Sequence, residues 1–369
     1  MTIPAPLWLI TVALVLVSAS VSYLLCWLMR LVAPRIGYVD SPGGRKNHTR
    51  VMPLGGGLAV FATFFLLVLT GLIWAATAGT DGPGTMCWFL QQTNVAHAIN
   101  QMGGVLLGGL ILMVLGLFDD VKNLGPKLKL AIQFMVAGLV VIGFNVRLTL
   151  FIEGVPLGQV LSILWIVVLV NAFNFLDNAD GLSSGVALVC GIVLLSVALV
   201  GGQILVGAFL ACLAGALAGF LIHNFPPARI FLGDAGSLVV GYLLAIGTLL
   251  TTYYNEQNPG TSKTSVLIPL VVMAIPLYDF GSVILLRLRS GTSPFVGDHR
   301  HFSHRLLRRG LSVRQTVLTI YLACGGTAVG AIMLRHLSGL PAILIFIQTL
   351  CIVAIIGILE YQPKNGNHS

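Results

Sequence analysis

The stretch LSILWIVVLVNAFNFLDNADGL, residues 161–182, joins a long apolar run to a cluster of acids and amides. Its first ten residues carry no charge. Uncharged apolar runs of this kind belong to the helices, about 20 residues long, that cross a lipid bilayer. The second half places Asp177 and Asp180, with Asn171 and Asn174, at the end of that run. Ionisable side chains at membrane depth are rare and usually functional. The stretch therefore predicts a membrane helix that ends at a polar site.

Helical geometry adds a condition to this prediction. At about 100° per residue, Asn171 and Asp180 would face opposite sides of a straight helix. Only near neighbours such as Asn171 and Asn174, or Asp177 and Asp180, would share a face. We therefore expect the helix to end or unwind near 177–181, so that amides and carboxylates converge.

The composition of the whole chain agrees with a membrane protein. Hydrophobic residues make up 57% of the chain and charged residues only 9%. A soluble globular domain carries about 25% charged residues, so this chain lacks the polar surface that water requires. Apolar segments recur without the strict alternation of barrel strands, which favours helices. We expect an all-α integral membrane protein that forms a single polytopic domain over 1–369.

Eleven apolar segments are predicted to be membrane helices. They are centred on 7–32, 54–77, 102–118, 130–146, 157–176, 186–200, 203–222, 236–252, 264–286, 316–334 and 340–359. The sequence break at 201–203 is slight, so a bundle of ten helices is the alternative.

Charged residues are distributed unevenly between the ends of these segments. Seventeen of the twenty lysines and arginines follow odd-numbered segments, and only Arg147, Lys263 and Arg335 do not. Because basic residues concentrate on the cytoplasmic side of membrane proteins, the N-terminus is predicted outside and the C-terminus in the cytoplasm. Eight of the twelve acids fall on the same side, in short loops beside helix ends. Acids gathered there indicate a site, since topology alone would not require them.

Five connections on the cytoplasmic side carry unusual polar sequences, approximately at 33–53, 118–130, 171–185, 223–236 and 287–315. The first holds Lys46 and His48, which suit an anionic group, although a basic loop beside anionic lipid headgroups explains them equally well. The second holds Asp119 and Asp120 at a helix end whose partial negative charge opposes an acid. A bound cation would offset that opposition, and solvated acids matched by nearby lysines are the alternative.

The last two connections add a carboxylate in a turn and a cluster of basic residues. Asp234 stands in the segment GDAGS, where a helix N-cap without further function is the alternative interpretation. The segment GDHRHFSHRLLRRG, residues 297–310, contains His301, His304 and Arg305 among further arginines. Because arginine binds phosphate through two parallel hydrogen bonds, we interpret this segment as a phosphate or diphosphate clamp.

Carboxylates and amides beside a basic rim are typical of a site for magnesium and phosphate. Mg²⁺ takes hard oxygen ligands, usually one or two carboxylates with phosphate oxygens and water. Phosphoryl transfer needs mostly positioning and charge neutralisation, and a site at the membrane boundary suits one soluble and one lipid-borne substrate. The residues predict a metal-assisted phosphotransferase acting on a membrane lipid. An ion-coupled transporter is the alternative of another class.

Four motifs then resemble, in order, those of the polyprenyl-phosphate N-acetylhexosamine-1-phosphate transferase family. They are FDD followed by K-x-x-x-Q, NAFNFLDNADGL, HNFPPARIFLGDAGS and HFSHRLLRRG, and the resemblance covers nearly the whole chain. It implies that an undecaprenyl-phosphate oxygen attacks the sugar-linked phosphate of a UDP-sugar, which releases UMP and leaves a lipid diphosphate sugar. The loop ending in RRG is similar to the GlcNAc-type branch, and transfer of phospho-MurNAc-pentapeptide is the alternative.

The resemblance also implies residue roles. Asp119 and Asp120 match paired acids linked to deprotonation of the lipid phosphate and to metal or phosphate, and Asp234 matches the magnesium ligand. The other matched positions are Asp177 and Asp180 for catalysis, and Lys129, Asn171, Asn174, Asn224, His301, His304 and Arg305 for substrate binding. Ser303 departs from the family pattern, because it stands where the middle histidine of a His-x-His-His motif is usual.

The family further implies the cofactor, the partners and the location. Mg²⁺ is the expected cofactor, with Mn²⁺ as a substitute, and the partners are a UDP-sugar and undecaprenyl phosphate, without nucleic acid. A homodimer is a family-level expectation. We expect a multi-pass protein of the bacterial inner membrane with a cytoplasmic active site, whose product initiates a lipid-linked cell-envelope glycan such as teichoic acid or lipopolysaccharide.

Overall fold

The computed structural model of the protein describes residues 5–41, 51–77, 94–148, 155–254, 261–293 and 301–360. The described chain is mostly helical, and it divides into two compact units, Met1–Thr252 and Tyr253–Ser369. Each unit is described by itself below.

The first unit contains eight α-helices and a short two-stranded hairpin among its described residues. The helices are α1 (Ala5–Val32), α2 (Gly56–Thr77), α3 (Val95–Lys122), α4 (Pro126–Gly138), α5 (Val155–Leu176), α6 (Leu182–Val200), α7 (Ile204–Asn224) and α8 (Asp234–Leu250). A π-helical turn, Leu139–Gly143, extends α4. The antiparallel strands are β1 (Val39–Asp40) and β2 (Met52–Pro53), with Val39 opposite Pro53.

The second unit begins with a 3₁₀ turn, Lys263–Leu267, and continues with five described helices. These are α9 (Ile268–Val272), α10 (Ala274–Arg289), α11 (Phe302–Arg308), α12 (Val313–Leu334) and α13 (Leu340–Glu360). Ser312 opens α12 with a capping box, in which its hydroxyl accepts from the Gln315 amide and the Gln315 side chain accepts in return. Helix α12 packs against α9, α10, α11 and α13.

The all-α polytopic membrane class is confirmed. In the described part of the chain, nine helices are long and apolar enough to cross a membrane, and a tenth span is formed if the pair Lys263–Val272 and Ala274–Arg289, bent by 60°, counts as one. Helix α8 is apolar but has only 17 residues. All eleven predicted segments lie on these helices. The number of spans and the side of each terminus stay predictions.

Helix α3 differs from its prediction at both ends, and the difference matters for the site. It was predicted over 102–118 but runs from Val95 to Lys122, because Asn94 caps its start by accepting a hydrogen bond from the His97 amide. Its extra residues at the other end include Asp119 and Asp120, which therefore belong to the last helical turn. The two acids are held at fixed angles around a helix and do not lie in a loop.

Helix α8 occupies the centre of the first unit. It packs against α2, α3, α5, α6 and α7, and almost all of its residues after the first turn are buried. Around this centre, α1 is fastened to α7 by two buried hydroxyls, since Ser18 and Ser22 donate hydrogen bonds to the carbonyls of Cys212 and Ala216. Such interhelical hydrogen bonds substitute for a hydrophobic driving force between helices in lipid. The packing fixes the N-terminus of α8 among the ends of its neighbours.

Candidate active site

The last turn of α3 places Asp119 in a partly buried ion pair. Asp119 Oδ2 lies 2.6 Å from Lys129 Nζ, and Asp119 Oδ1 accepts a hydrogen bond from the Leu124 amide at 2.6 Å. Lys129 stands in the first turn of α4, which begins directly after the short connection that follows α3. Because lysine neutralises the carboxylate, the acid is tolerated at the negative end of the α3 dipole.

The second acid of the pair, Asp120, makes different contacts. Its Oδ1 accepts the Asp234 amide at 2.7 Å, and its Oδ2 accepts the Tyr38 hydroxyl at 2.6 Å and the Ala235 amide at 3.4 Å. The negative end of α3 thus meets the positive start of α8. Burial and the neighbouring carboxylate of Asp120 raise the pKa of Tyr38 above its usual range, so the phenol remains a hydrogen-bond donor.

Asp234 begins α8 and is linked to two other elements. Its Oδ1 accepts from the Asn174 amide at 2.9 Å, and its Oδ2 lies 3.2 Å from Lys129 Nζ. The same Asn174 amide donates to the Ser237 hydroxyl at 2.9 Å. Lys129 therefore bridges Asp119 and Asp234, and the two carboxylates converge on one ammonium group. The alternative in which Asp234 serves as an N-cap is wrong, because the N-cap position belongs to Gly233.

The unwinding expected near 177–181 is confirmed. Helix α5 ends at Leu176, Gly181 adopts a φ of 71°, and α6 begins at Leu182. Asp177 follows the end of α5 as a half-buried residue, and its carboxylate receives no hydrogen bond from the described residues. Burial and the carboxylates of Asp234, Asp120 and Asp180 raise its pKa well above the usual range.

Three other predicted residues are engaged in hydrogen bonds that hold the connections in shape. Asn171 donates to Gln133 at 2.6 Å, and Asp180 accepts the Ala228 amide at 2.9 Å. Asn224 is buried: it accepts from the Gly181 amide and the Ser184 hydroxyl and donates to the Ile230 carbonyl. These residues border the site, and their roles toward a substrate stay predictions.

One of the predicted basic residues of the second unit, His301, contacts the buried side chain of Asp279. His301 Nδ1 donates to Asp279 Oδ2 at 3.1 Å, and the Phe302 amide donates to Asp279 Oδ1 at 2.8 Å. The ring of His304 lies 6.2 Å from that of His301, and Arg305 donates to the Ser282 hydroxyl at 2.9 Å. Ser303, the expected departure from a His-x-His-His motif, is buried. Lys46 and His48 lie outside the described residues.

The donor set of the first unit fits magnesium with few protein ligands. Among the residues that the structure describes, no three His, Cys, Asp or Glu side chains form a ready metal-binding group. Mg²⁺ does not need one, because it commonly keeps several waters and binds through one or two carboxylates and substrate phosphates. Asp234 and Asp177 fit this requirement: both are carboxylates near other negative charges, and a cation would relieve that repulsion.

Three residues of the site received no role from the sequence, although two of them stand in the motifs K-x-x-x-Q and GDAGS. Gln133 and Ser237 had a recognisable signal, since they stand one helical turn after Lys129 and Asp234 and therefore share their helix faces. Tyr38 had no such signal in the sequence, because its partner Asp120 is 82 positions away. It contributes the shortest hydrogen bond to Asp120.

Comparisons with known proteins identify relatives of this chain. The profile described as Glycosyl transferase family 4 matches residues 102–252, which contain the carboxylate cluster of the first unit. A probable undecaprenyl-phosphate N-acetylglucosaminyl 1-phosphate transferase of Bacillus subtilis is 32% identical over 316 residues, 84% of this chain and 80% of that protein. The decaprenyl-phosphate N-acetylglucosaminephosphotransferase of Mycobacterium tuberculosis is 34% identical over 339 residues, 86% of this chain and 80% of that protein. The undecaprenyl-phosphate alpha-N-acetylglucosaminyl 1-phosphate transferase of Escherichia coli is 28% identical over 330 residues, 85% of this chain and 82% of that protein.

Proposed function

This chain belongs to the polyprenyl-phosphate N-acetylhexosamine-1-phosphate transferase family, and on that premise we propose that it transfers GlcNAc-1-phosphate from UDP-GlcNAc to undecaprenyl phosphate. The products are UMP and undecaprenyl diphosphate GlcNAc, a starting unit for a lipid-linked cell-envelope glycan. The names of the relatives support a polyprenyl phosphate as acceptor and GlcNAc-phosphate as the transferred group. Membership of an enzyme family leaves no support for the ion-coupled transporter alternative.

The observation that carries the proposal is the convergence of Asp119, Asp234 and Lys129 at the ends of three apolar helices. Lys129 Nζ lies 2.6 Å from one carboxylate and 3.2 Å from the other, and Asn174 holds Asp234 from a fourth helix. The cluster combines carboxylate oxygens, which are hard donors, with the ammonium group of Lys129 at the end of a flexible side chain. Such a group suits a substrate that brings its own negative phosphates, since the lysine can then exchange a carboxylate partner for a phosphate oxygen.

The transfer requires one P–O bond to form and one to break. An oxygen of the lipid phosphate bonds to the sugar-linked phosphorus of UDP-GlcNAc, and the bond from that phosphorus to the bridging oxygen breaks, so UMP leaves with the bonding electrons. In our proposal Lys129 neutralises charge on the diphosphate, while Asn174 keeps Asp234 oriented. Catalysis of this type rests on positioning and electrostatic stabilisation more than on a protein nucleophile.

Asp234, together with Asp177, would hold a magnesium ion. When bound, it would neutralise charge on the phosphates of the nucleotide sugar. Asp119, paired with Lys129 and the Leu124 amide, would orient the lysine. Asp180, Asn171 and Asn224 would keep the surrounding connections in the shape that the substrates require.

The charge pattern supports a cytoplasmic location for the site. The carboxylates stand in or beside the connections that carry most of the basic residues, which the positive-inside rule assigns to the cytoplasm. A cytoplasmic site at the membrane boundary gives access to a soluble nucleotide sugar from one side and a lipid phosphate from the other. The bacterial inner (plasma) membrane is our proposed location, since the relatives come from bacteria and the described helices are apolar enough to cross a membrane.

The proposal is tested with purified protein in detergent. Undecaprenyl phosphate and Mg²⁺ are supplied with UDP-GlcNAc or with UDP-MurNAc-pentapeptide, and nucleotide release is followed with and without EDTA. We expect UMP from UDP-GlcNAc only, and no turnover after the metal is removed. UMP from the pentapeptide substrate alone would move the activity to the other branch, and turnover in EDTA would remove magnesium from the proposal.

A further inference from the structure

The first turn of α8 has no capping side chain of its own. Gly233 occupies the N-cap position, and no side-chain hydrogen bond is made from it. A helix start leaves four backbone N–H groups without helical partners, and here the amides of Asp234 and Ala235 donate to the carboxylate of Asp120. Asp120 lies 114 positions earlier in the sequence, on a different helix. It occupies the place that a Ser, Asp or Asn at position 233 would normally take.

Two glycines make this cap sterically feasible. A Cβ added to Gly116 would lie 2.3 Å from the Cα of Ala235, so the backbone of α3 touches the first turn of α8. Asp120 follows Gly116 by four residues and therefore lies on the same face of α3. A Cβ added to Gly233 would lie 2.7 Å from Asp120 Oδ2. A side chain at position 233 would thus occupy the space of the carboxylate that replaces it.

Tyr38 holds Asp120 from the other side. Its hydroxyl donates to Asp120 Oδ2 at 2.6 Å. Its backbone is fixed in turn, because its amide donates to the Ala33 carbonyl at 2.9 Å and its carbonyl accepts the Leu54 amide at 3.1 Å. The amides of Gly56 and Gly57 donate to the segment just before α8, at the carbonyls of Phe231 and Leu232. Tyr38 and the start of α8 therefore belong to one hydrogen-bonded frame.

From this geometry the structure assigns Tyr38 and Asp120 as positioning residues for Asp234: Asp120 is the N-terminal cap of α8, supplied from α3, and Tyr38 orients that cap. The inference rests on the proposed function for the role of Asp234 toward metal and substrate. In place of the expected role as a metal ligand it gives Asp120 the role of a cap, since two of the three hydrogen bonds that its carboxylate accepts come from the first amides of α8. Tyr38 becomes a residue on which turnover depends without contact to the reacting atoms.

The conservative and the truncating replacements of Asp120 distinguish a cap from a ligand. Asparagine caps helices about as well as aspartate, and its amide oxygen can still accept the Asp234 amide. We expect Asp120→Asn to keep the Mn²⁺ affinity of the purified protein within about fivefold, as measured by the electron paramagnetic resonance signal of free Mn²⁺. Asp120→Ala removes the cap, and it should lower the affinity about 10- to 100-fold, as loss of a group that orients a ligand does.

Tyr38→Phe tests the second half of the inference, with Tyr23→Phe as the matched control. Tyr23 stacks on His223 with its ring, and its hydroxyl makes no described hydrogen bond. We expect Tyr38→Phe to lower kcat about tenfold with an unchanged KM for UDP-GlcNAc, because one hydrogen bond to a charged group is lost away from the substrate. The control should keep the kcat of the unmodified protein.

The outcomes separate this inference from the proposed function. If the unmodified protein neither releases UMP nor binds Mn²⁺, the proposed function fails. If it does both, and Asp120→Asn loses as much Mn²⁺ affinity as Asp120→Ala, then Asp120 is a ligand and the inference fails. Equal turnover of Tyr38→Phe and Tyr23→Phe would also overturn it. Should Asp120→Ala not fold, Asp120→Asn and Tyr38→Phe decide by themselves.

Discussion

Two aspartates, one in each unit, each cap the start of a helix that lies further along the chain. Asp120 on α3 accepts the first amides of α8, and Asp279 on α10 accepts the first amide of α11 at 2.8 Å. Neither Gly233 nor His301, which hold the N-cap positions, makes a side-chain cap of its own. In both units the capped helix starts at or beside a residue of a sequence motif, so a carboxylate from another helix fixes the backbone at that motif.

The two caps differ in the burial of the aspartate and in the side chain that donates a second hydrogen bond to it. Asp120 is half-buried and takes the hydroxyl of Tyr38, whereas Asp279 is fully buried and takes the ring of His301. A fully buried carboxylate is tolerated only with complete hydrogen bonding, and the pair of ring and amide supplies it. From this difference we infer that the cap at Asp279 serves stability, whereas the cap at Asp120 also positions Asp234.

The largest effect on turnover is expected at Asp234, whose backbone amide Asp120 caps. Asp234→Asn keeps the shape of the side chain but removes the charge, so turnover should fall at least about 1,000-fold, as loss of metal-assisted charge stabilisation predicts. UMP release measures the turnover, and an unchanged melting temperature in detergent shows that the fold persists. Asp81→Asn, an acid that the charge pattern places on the outer side, is the matched control and should be fully active. Retained activity of Asp234→Asn would remove this residue from the metal role.

The next effect concerns stability at the buried cap. Asp279→Ala leaves the Phe302 amide and the His301 ring without their acceptor, which should lower the free energy of unfolding by about 3 kcal/mol. Asp120→Ala should lower it by only about 1 kcal/mol, the usual cost of a lost cap. Thermal melting of both variants in the same detergent gives the comparison. The division of roles would be wrong if Asp120→Ala melted at the same temperature as Asp279→Ala or below it.

A neutral amide provides an intermediate case. Asn224 makes three buried hydrogen bonds, to Gly181, Ser184 and Ile230, but carries no charge. Asn224→Ala should therefore destabilise the protein by about 2 kcal/mol, between the two aspartates. Asn224→Asp keeps the acceptor but sets a carboxylate oxygen against the Ile230 carbonyl, so it should destabilise the protein at least as much as Asn224→Ala. A melting temperature equal to that of the unmodified protein would show that this network does not hold the connection.

The smallest effect is expected at Asp180. Its described side-chain contact is one hydrogen bond from the Ala228 amide at 2.9 Å, and asparagine can accept the same bond. Asp180→Asn should change the free energy of unfolding by less than about 0.5 kcal/mol, again read from thermal melting. A larger loss would mean that the charge at this position, and not only its shape, holds the connection after α5.

The sequence predicted those features that depend on neighbouring residues. Apolar runs located the helices, and the spacing of Asn171 to Asp180 predicted the end of α5 at the start of the polar turn, which the structure confirms. The sequence did not predict the contacts between helices that lie far apart along the chain. GDAGS contains an acid at a helix start, so local rules offered Asp234 as a possible cap, whereas the actual cap comes from α3 through a close backbone approach. Neither Tyr38 nor the Asp279–His301 pair carries a local signal of its partner.

The nucleotide product tests the central claim most directly. Attack at the sugar-linked phosphorus releases UMP and leaves a lipid diphosphate sugar, whereas attack at the anomeric carbon would release UDP and leave a lipid monophosphate sugar. Purified protein is given Mg²⁺, undecaprenyl phosphate and UDP-GlcNAc, the nucleotide is identified by chromatography and the lipid by its mass. We expect UMP and undecaprenyl diphosphate GlcNAc in equal amounts, both absent with Asp234→Asn. Release of UDP with a lipid monophosphate sugar would contradict the account.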